Sequence, residues 1–351
     1  MDNRDLAMGL ILLIQTIVGI LGNFSLLCHY IILSFTEYRW RSTDFIYMHL
    51  IVANFLALLC KGVPQTMVAF GWEHFLSDLG CKLLFFLHRV GRGVSIGSIC
   101  TLSVYQAVTI SPVNSRWAEL KVKAPKYISP TIFLCWVLQM LVNITFPIYL
   151  TSTLNDKNIT DRKEFGYCSA VRHDKTRDLL YAVLLAFPDM LCLGLMLWAS
   201  SSMVLLLYRH KQRVQHIRRI STSSRSSPEA RATKTILLLM STFGYFYTLS
   251  SIFQLVVGLF DNPSLILINT AAIMSLSFPT VSSLLLMSHN SKVTKIPKLF
   301  CAWRRKIKSP CLMKTMQTVC ISTMYTCQLF IHLPHSPDTT YVSQEKGKQE
   351  N

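Results

Sequence analysis

The sequence predicts an all-α membrane protein, a bundle of seven spanning helices with its N-terminus outside. Three observations predict it. Of 351 residues, 51% are hydrophobic and only 15% charged, where an ordinary soluble domain carries roughly 25% charged residues. Seven apolar runs reach the roughly 20 residues that a helix needs to cross a hydrocarbon core about 30 Å thick. They cover residues 8–33, 45–70, 82–110, 128–150, 179–208, 233–259 and 265–287. The basic residues, finally, are unevenly divided between the two sides that these runs define. With the N-terminus outside, 24 of the 35 Lys and Arg fall on the inner side and eight on the outer, the asymmetry of the positive-inside rule.

The first run starts without a basic leader segment and is longer than the roughly 7–15 apolar residues of a cleavable signal. It is therefore expected to stay as an anchor behind a short outer segment, residues 1–7. The second run contains Asn54 and Lys61, the third contains His88, Arg89 and Arg92, and the fifth contains Pro188 and Asp189. The helical domain is expected over residues 8–288. Residues 289–351 follow as a cytoplasmic tail, largely disordered beyond about residue 311, where periodicity fades. The net charge of +17 does not point to nucleic acid, because the basic residues lie between apolar runs rather than along one exposed face. Membrane lipids are the partner that this placement implies.

Eleven cysteines do not form a small-domain disulfide framework, since most sit inside apolar runs or in the tail. Cys81, at the outer mouth of the third run, and Cys168, in the long outer loop, are the two in the outer segments. Thiols that face each other on the oxidising side of a membrane normally pair, so a bridge pinning that loop is expected, with two free thiols as the alternative. Asn158-Ile159-Thr160 in the same loop is a sequon open to glycosylation. Asn143-Ile144-Thr145 has the same pattern inside an apolar run, out of reach of the transferase. No catalytic group, metal-ligand motif or cofactor-binding fingerprint is evident: there is no His-Glu-x-x-His, no nucleophile elbow and no paired broken helices of a transporter.

The charges inside the spans are the candidate binding residues. At 1.5 Å per residue, Arg89 and Arg92 lie about 12 and 16 Å below Cys81, Asp189 about 15 Å below the outer end of its run, and Lys61 in the outer third. Each costs roughly 2.5–3.5 kcal/mol at mid-membrane unless paired or wet. Two readings stand side by side. Asp189 pairs with Arg89 or Arg92 while Lys61 reaches outward, and the network fixes helix order. Or the surplus positive charge faces a wet cavity and attracts an anionic or strongly polar group of a ligand. The aromatic run 243–247 is either packing or a wall of that cavity. At the inner end, Arg209, Lys211, Arg213, Arg218 and Arg219 continue the fifth helix as a basic stretch, suited to anionic lipid heads or to a cytosolic partner.

Several strings narrow the class: Gly22-Asn23, KGVPQTM at 61–67, HRVGR at 88–92, Phe187-Pro188-Asp189, Trp198-Ala199-Ser200, the basic stretch 208–215 and EARAT at 229–233. Together, over about residues 6–310, they resemble the vomeronasal type-1 receptors, a pheromone-receptor family of G-protein-coupled receptors. The resemblance implies a multi-pass plasma-membrane receptor for a small pheromone-like molecule, coupled to an inhibitory-class heterotrimeric G protein. Members of that family are described as recognising small molecules, some of them sulfated steroids. Where the broader rhodopsin-like pattern has Asp-Arg-Tyr, this chain has Val104-Tyr105-Gln106; its last span carries Phe278-Pro279-Thr280-Val281-Ser282, and Asn54 stands at the usual sodium-site Asp. A bitter-taste-like chemosensory receptor is the alternative, against which the Cys81–Cys168 bridge counts, and a signalling-impaired member of the same family is the other.

Overall fold

Apolar length sets where the helices lie, and local polar groups set where several of them begin. A computed structural model describes residues 3–35, 41–72, 75–111, 118–144, 150–151, 162–164, 167–171, 175–217, 228–259 and 264–289. In chain order the helices are α1 (Asn3–Phe35), α2 (Ser42–Ala57), a π turn (Leu58–Gly62) running directly into α3 (Val63–Ala69), α4 (Asp78–Ile110), α5 (Ala118–Asn143), α6 (Lys175–Ile217), α7 (Pro228–Leu259) and α8 (Leu265–His289). With α2, the π turn and α3 counted as one span, seven helices among the described residues are long and apolar enough to cross a membrane.

The Asp44 carboxylate accepts from the Arg41 amide at 3.1 Å to open α2. Ser77 caps α4, its hydroxyl accepting from the Gly80 amide at 3.2 Å, and Lys82 pairs with Asp78 at 2.8 Å in the first turn. These groups satisfy amides that a helix start leaves open. Gly71, at φ +84°, provides the left-handed residue just after α3 that a side chain would resist.

The helices depart from the apolar runs mainly at their ends. Helix α5 begins at Ala118 rather than 128 and includes Pro125 and Pro130. Each proline removes one backbone hydrogen bond, which the surrounding turns tolerate. It ends at Asn143 rather than 150, where the Asn143 amide nitrogen donates back to the Gln139 carbonyl at 2.8 Å. Helix α6 continues to Ile217, past the apolar limit at 208, because Arg, Lys and Gln are good helix formers whatever their hydropathy.

Helix α4 is the centre of the bundle, packing against α2, α5, α6 and α7. Three glycines let its neighbours come close. A Cβ on Gly91 would lie 2.9 Å from the Ala53 carbonyl oxygen and 3.2 Å from the Ala57 nitrogen, so α2 and α4 touch backbone to backbone. Gly93 and Gly97 instead make room for side chains of α5, those of Gln139 and Cys135. Below this level Leu50, Ile51, Ile96, Ile99, Leu102, Ile132 and Met203 form the fully buried core.

The outer loop holds an element the hydropathy pattern does not reveal. Strands β1 (Leu150–Thr151), β2 (Arg162–Glu164) and β3 (Ser169–Val171) form a small antiparallel sheet in the order β1-β3-β2. The expected bridge is present: Cys81 and Cys168 are disulfide-bonded, with their Cα atoms 5.9 Å apart. It anchors the sheet to the head of α4. Asn158 lies outside the described residues, as do Arg218, Arg219 and the tail from residue 290.

Two stability outcomes follow. Substituting Gly91→Ala forces a methyl against backbone that cannot yield, costing about 1–3 kcal/mol, whereas Gly194→Ala meets nothing within 4 Å; thermal denaturation of purified receptor should separate the two. Cys81→Ala releases a loop closed across 87 residues and should cost about 2–4 kcal/mol, read as lost surface expression.

Candidate functional site

The intramembrane charges are distributed over three spans, and their surroundings differ. Lys61 occupies the π turn between α2 and α3. One extra residue in that turn changes the facing of everything beyond it, a distortion frequent at functional sites. Among the described residues the Lys61 ammonium has no hydrogen-bond or ion-pair partner. It lies within electrostatic reach of Arg92 and Arg89. On α4, His88 Nδ1 is 3.4 Å from the Ala57 carbonyl oxygen, which holds the imidazole against α2.

Arg89 and Arg92, three residues apart, diverge. Arg89 turns to α5, its Nε donating to Asn143 Oδ1 at 2.8 Å. Asn143 is in turn fixed by donating its amide to the Gln139 carbonyl at 2.8 Å and to Gln139 Oε1 at 3.2 Å. Arg92 turns to α7, its Nη1 donating to Ser250 Oγ at 3.5 Å and its guanidinium carbon lying 4.9 Å from the centre of the Tyr247 ring. Tyr247 Oη then donates to Asp189 Oδ2 at 3.1 Å. Among the described residues no ion pair joins Asp189 directly to either arginine, and Arg92 keeps donors uncommitted to any carboxylate. Carboxylate and guanidinium therefore communicate through the tyrosine.

A narrow cleft with about 30 Å³ of space open to water lies between α2, α4, α7 and α8. Its polar wall is Arg92, His88, Asn54, Ser95 and Ser250, and its apolar wall is Phe243, Phe246, Tyr247, Met274 and Phe278. Phe243 stacks on Tyr247 at 5.4 Å and meets Phe278 edge-on at 4.8 Å, which fixes the aromatic wall. Ser275 Oγ, also in the cleft lining, has no hydrogen-bond partner among the described residues. Ser95 Oγ donates to Asn54 Oδ1 at 2.7 Å, and Asn54 Nδ2 donates to Ser282 Oγ at 3.0 Å. This neutral chain ties α4, α2 and α8 together at the cleft.

Of the four charged residues singled out in the sequence, only Arg92 lines the cleft; Asp189 is joined to its wall through Tyr247, while Lys61 and Arg89 are not among its lining residues. The aromatic run divides, with Phe243, Phe246 and Tyr247 in the wall and Tyr245 exposed. Asn143 is hidden in the sequence because it reads as an unusable sequon. A signal is nevertheless present: an amide in an apolar run needs a partner, and Arg89 lies on a neighbouring helix. Ser250 and Ser275 carry no such signal. At the inner end Arg209 is exposed, and Lys211 and Arg213 stand on the same continuous helix α6. Among the described residues no group of three or more His, Cys, Asp or Glu side chains is placed to hold a metal ion.

The Arg89–Asn143 contact has a direct check. Replacing Asn143→Leu deprives a half-buried guanidinium of that acceptor and should cost about 1.5–3 kcal/mol. Asn143→Gln should leave the glycan mass unchanged on a gel, because Asn143 is 3% exposed and already hydrogen-bonded.

The family model described as "Vomeronasal organ pheromone receptor family" matches residues 6–299. Human Vomeronasal type-1 receptor 4 is 58% identical over 306 residues, covering 87% of this chain and all of the relative. Human Vomeronasal type-1 receptor 2 is 53% identical, over 84% of this chain and 74% of that protein. A zebrafish (Danio rerio) protein, Olfactory receptor class A-like protein 1, is 30% identical over 81% of this chain and 90% of its own length. A seven-span bundle under a disulfide-pinned loop, matched over most of its length by these relatives, belongs to the vomeronasal type-1 family of pheromone receptors, multi-pass G-protein-coupled receptors of the plasma membrane.

Proposed function

We propose that the protein detects a small amphipathic molecule whose anionic or strongly polar group docks at Arg92, and that the resulting change in helix packing activates an inhibitory-class heterotrimeric G protein. The observation that carries this reading is the cleft itself. On one side stands a guanidinium with no direct carboxylate among the described residues, and on the other a fixed aromatic wall. An anion there gains charge-assisted hydrogen bonds, each worth about 1.5–3 kcal/mol. Lys61 and Arg89 add to the positive field without needing contact, because a low-dielectric interior screens weakly. Phe243, Phe246, Met274 and Phe278 take up an apolar body by area burial and dispersion.

Binding shifts the bundle only by as much as the ligand prefers one packing over another. The Arg92–Tyr247–Asp189 relay joins α4, α7 and α6, so an anion that takes over Arg92 weakens its hold on Tyr247 and loosens α7 from its neighbours. The inner ends of α6 and α7 then separate, and the basic stretch Arg209, Lys211, Arg213, Arg218 and Arg219 meets the G protein, with anionic lipid heads as its partner at rest. Asn158 carries the glycan on this reading.

Arg92→Gln should reach the cell surface and lose about 10- to 100-fold in potency for a sulfated steroid, the equivalent of one charge-assisted contact, with far less change for its unsulfated parent. Arg89→Gln should lose mainly thermal stability. Pertussis toxin, which disables the inhibitory-class α subunit, should abolish the response. Equal losses for sulfated and unsulfated probes would overturn the assignment of Arg92.

A further inference from the structure

The narrow cleft gathers hydrogen-bond donors without the carboxylate that would balance them. Among the described residues no Asp or Glu lines it, and none forms an ion pair with Arg92. Ser250 Oγ accepts from Arg92 Nη1 at 3.5 Å and from Gln254 Nε2 at 3.3 Å. A hydroxyl that accepts twice still has its own hydrogen to give. Ser250 has no acceptor for that hydrogen among the described residues. Ser275 Oγ, buried in the same lining, has no partner of either kind among them. The Ser95 hydrogen, by contrast, is engaged by Asn54 at 2.7 Å.

Charge points the same way. Lys61, Arg89 and Arg92 lie within electrostatic reach of one another. The carboxylate that faces them among the described residues, Asp189, is engaged by the Tyr247 hydroxyl at 3.1 Å. Three fixed cations thus stand against one carboxylate. Water in the cleft would solvate the donors and leave the surplus charge uncompensated, which a hydrocarbon surrounding makes costly. Size narrows the choice further. A water needs roughly 10–15 Å³ of such space, so about 30 Å³ suits a monatomic anion with one water, or the anionic head of a larger molecule.

We propose that the cleft is a binding site for a halide ion, chloride first, held by the Arg92 guanidinium and by the hydroxyls of Ser250 and Ser275. The ion belongs to the resting receptor. It neutralises Arg92 without clamping that side chain to another helix, as a carboxylate would. The inference rests on the reading of Arg92 as the anion contact and deepens it, because the anionic group of a ligand then competes with chloride for the same donors. A small cation does not suit the site: the nearest fixed charges are positive, and the Asn54 and Ser95 oxygens are tied into the neutral chain.

The test uses the full-length receptor in nanodiscs, with sodium and ionic strength constant while chloride replaces gluconate, an anion too large for the cleft. The Tm should rise with chloride along a saturating curve, and bromide should act likewise. Arg92→Gln should abolish the saturating component. Ser275→Ala has no hydrogen bond to lose among the described residues. It should raise the half-saturating chloride concentration about tenfold, the equivalent of one hydrogen bond to a charge. A Tm that shows no saturation, or a curve that neither substitution moves, overturns the proposal, since bulk salt or bound water alone gives that result. If Arg92→Gln does not fold, the Ser275→Ala curve decides alone. A sulfated steroid separates this inference from the ligand reading: its apparent affinity should fall as chloride rises. Saturating chloride dependence, with a steroid indifferent to chloride and to Arg92→Gln, leaves the halide site standing and removes the ligand reading. A steroid weakened by Arg92→Gln in gluconate, with no saturating chloride effect, does the reverse.

Discussion

A cation in a hydrocarbon core must be paired, solvated or reachable by water, and helix α4 carries two arginines within three residues. The bundle meets that demand asymmetrically. Arg89 is absorbed by an amide on α5, which is itself held twice by Gln139. Arg92 is only partly absorbed, by a hydroxyl at the outer limit of hydrogen-bond distance and by the face of a tyrosine. The glycines of α4 belong to the same constraint. By bringing α2 and α5 close to its backbone, they place Ala57 and Asn143 where a ring nitrogen and a guanidinium can use them.

That division gives the family membership a physical content. A receptor needs a cohesive bundle and a site whose interactions are incomplete until the stimulus arrives. On the proposed function, residues of one chemical type serve both ends, and what separates them is the partner across the helix interface. The Tyr247 side chain makes two contacts: its ring face partly compensates Arg92, and its hydroxyl donates to Asp189 on α6. A direct carboxylate–arginine pair would have made the network a structural clamp. The interposed phenol leaves it open to competition.

Much of the architecture was legible in the chain. Seven apolar runs, the lopsided placement of Lys and Arg and the two outer cysteines follow from the hydrophobic effect, membrane electrostatics and redox chemistry, all of which act on composition. Helix ends were less legible, because hydropathy marks the membrane and not the helix: α6 continues to Ile217 in a basic sequence, and α5 starts ahead of two prolines. The charges of the candidate site were legible in the chain, and their arrangement was not. Spacing along α4 gives the depths of Arg89 and Arg92, but which helix each arginine reaches depends on rotations that no periodicity specifies. The π turn that carries Lys61 has no composition signature. The loop strands are two or three residues long, too short for an alternating pattern to show.

The amide at position 54 has a consequence for the charge balance of the bundle. Asn54 joins Ser95 and Ser282 through neutral hydrogen bonds, so the middle of the bundle offers no fixed negative charge there to a small cation. The polar chain that crosses the bundle at this level is thus built from amide and hydroxyl groups alone, and its cohesion needs no counter-ion.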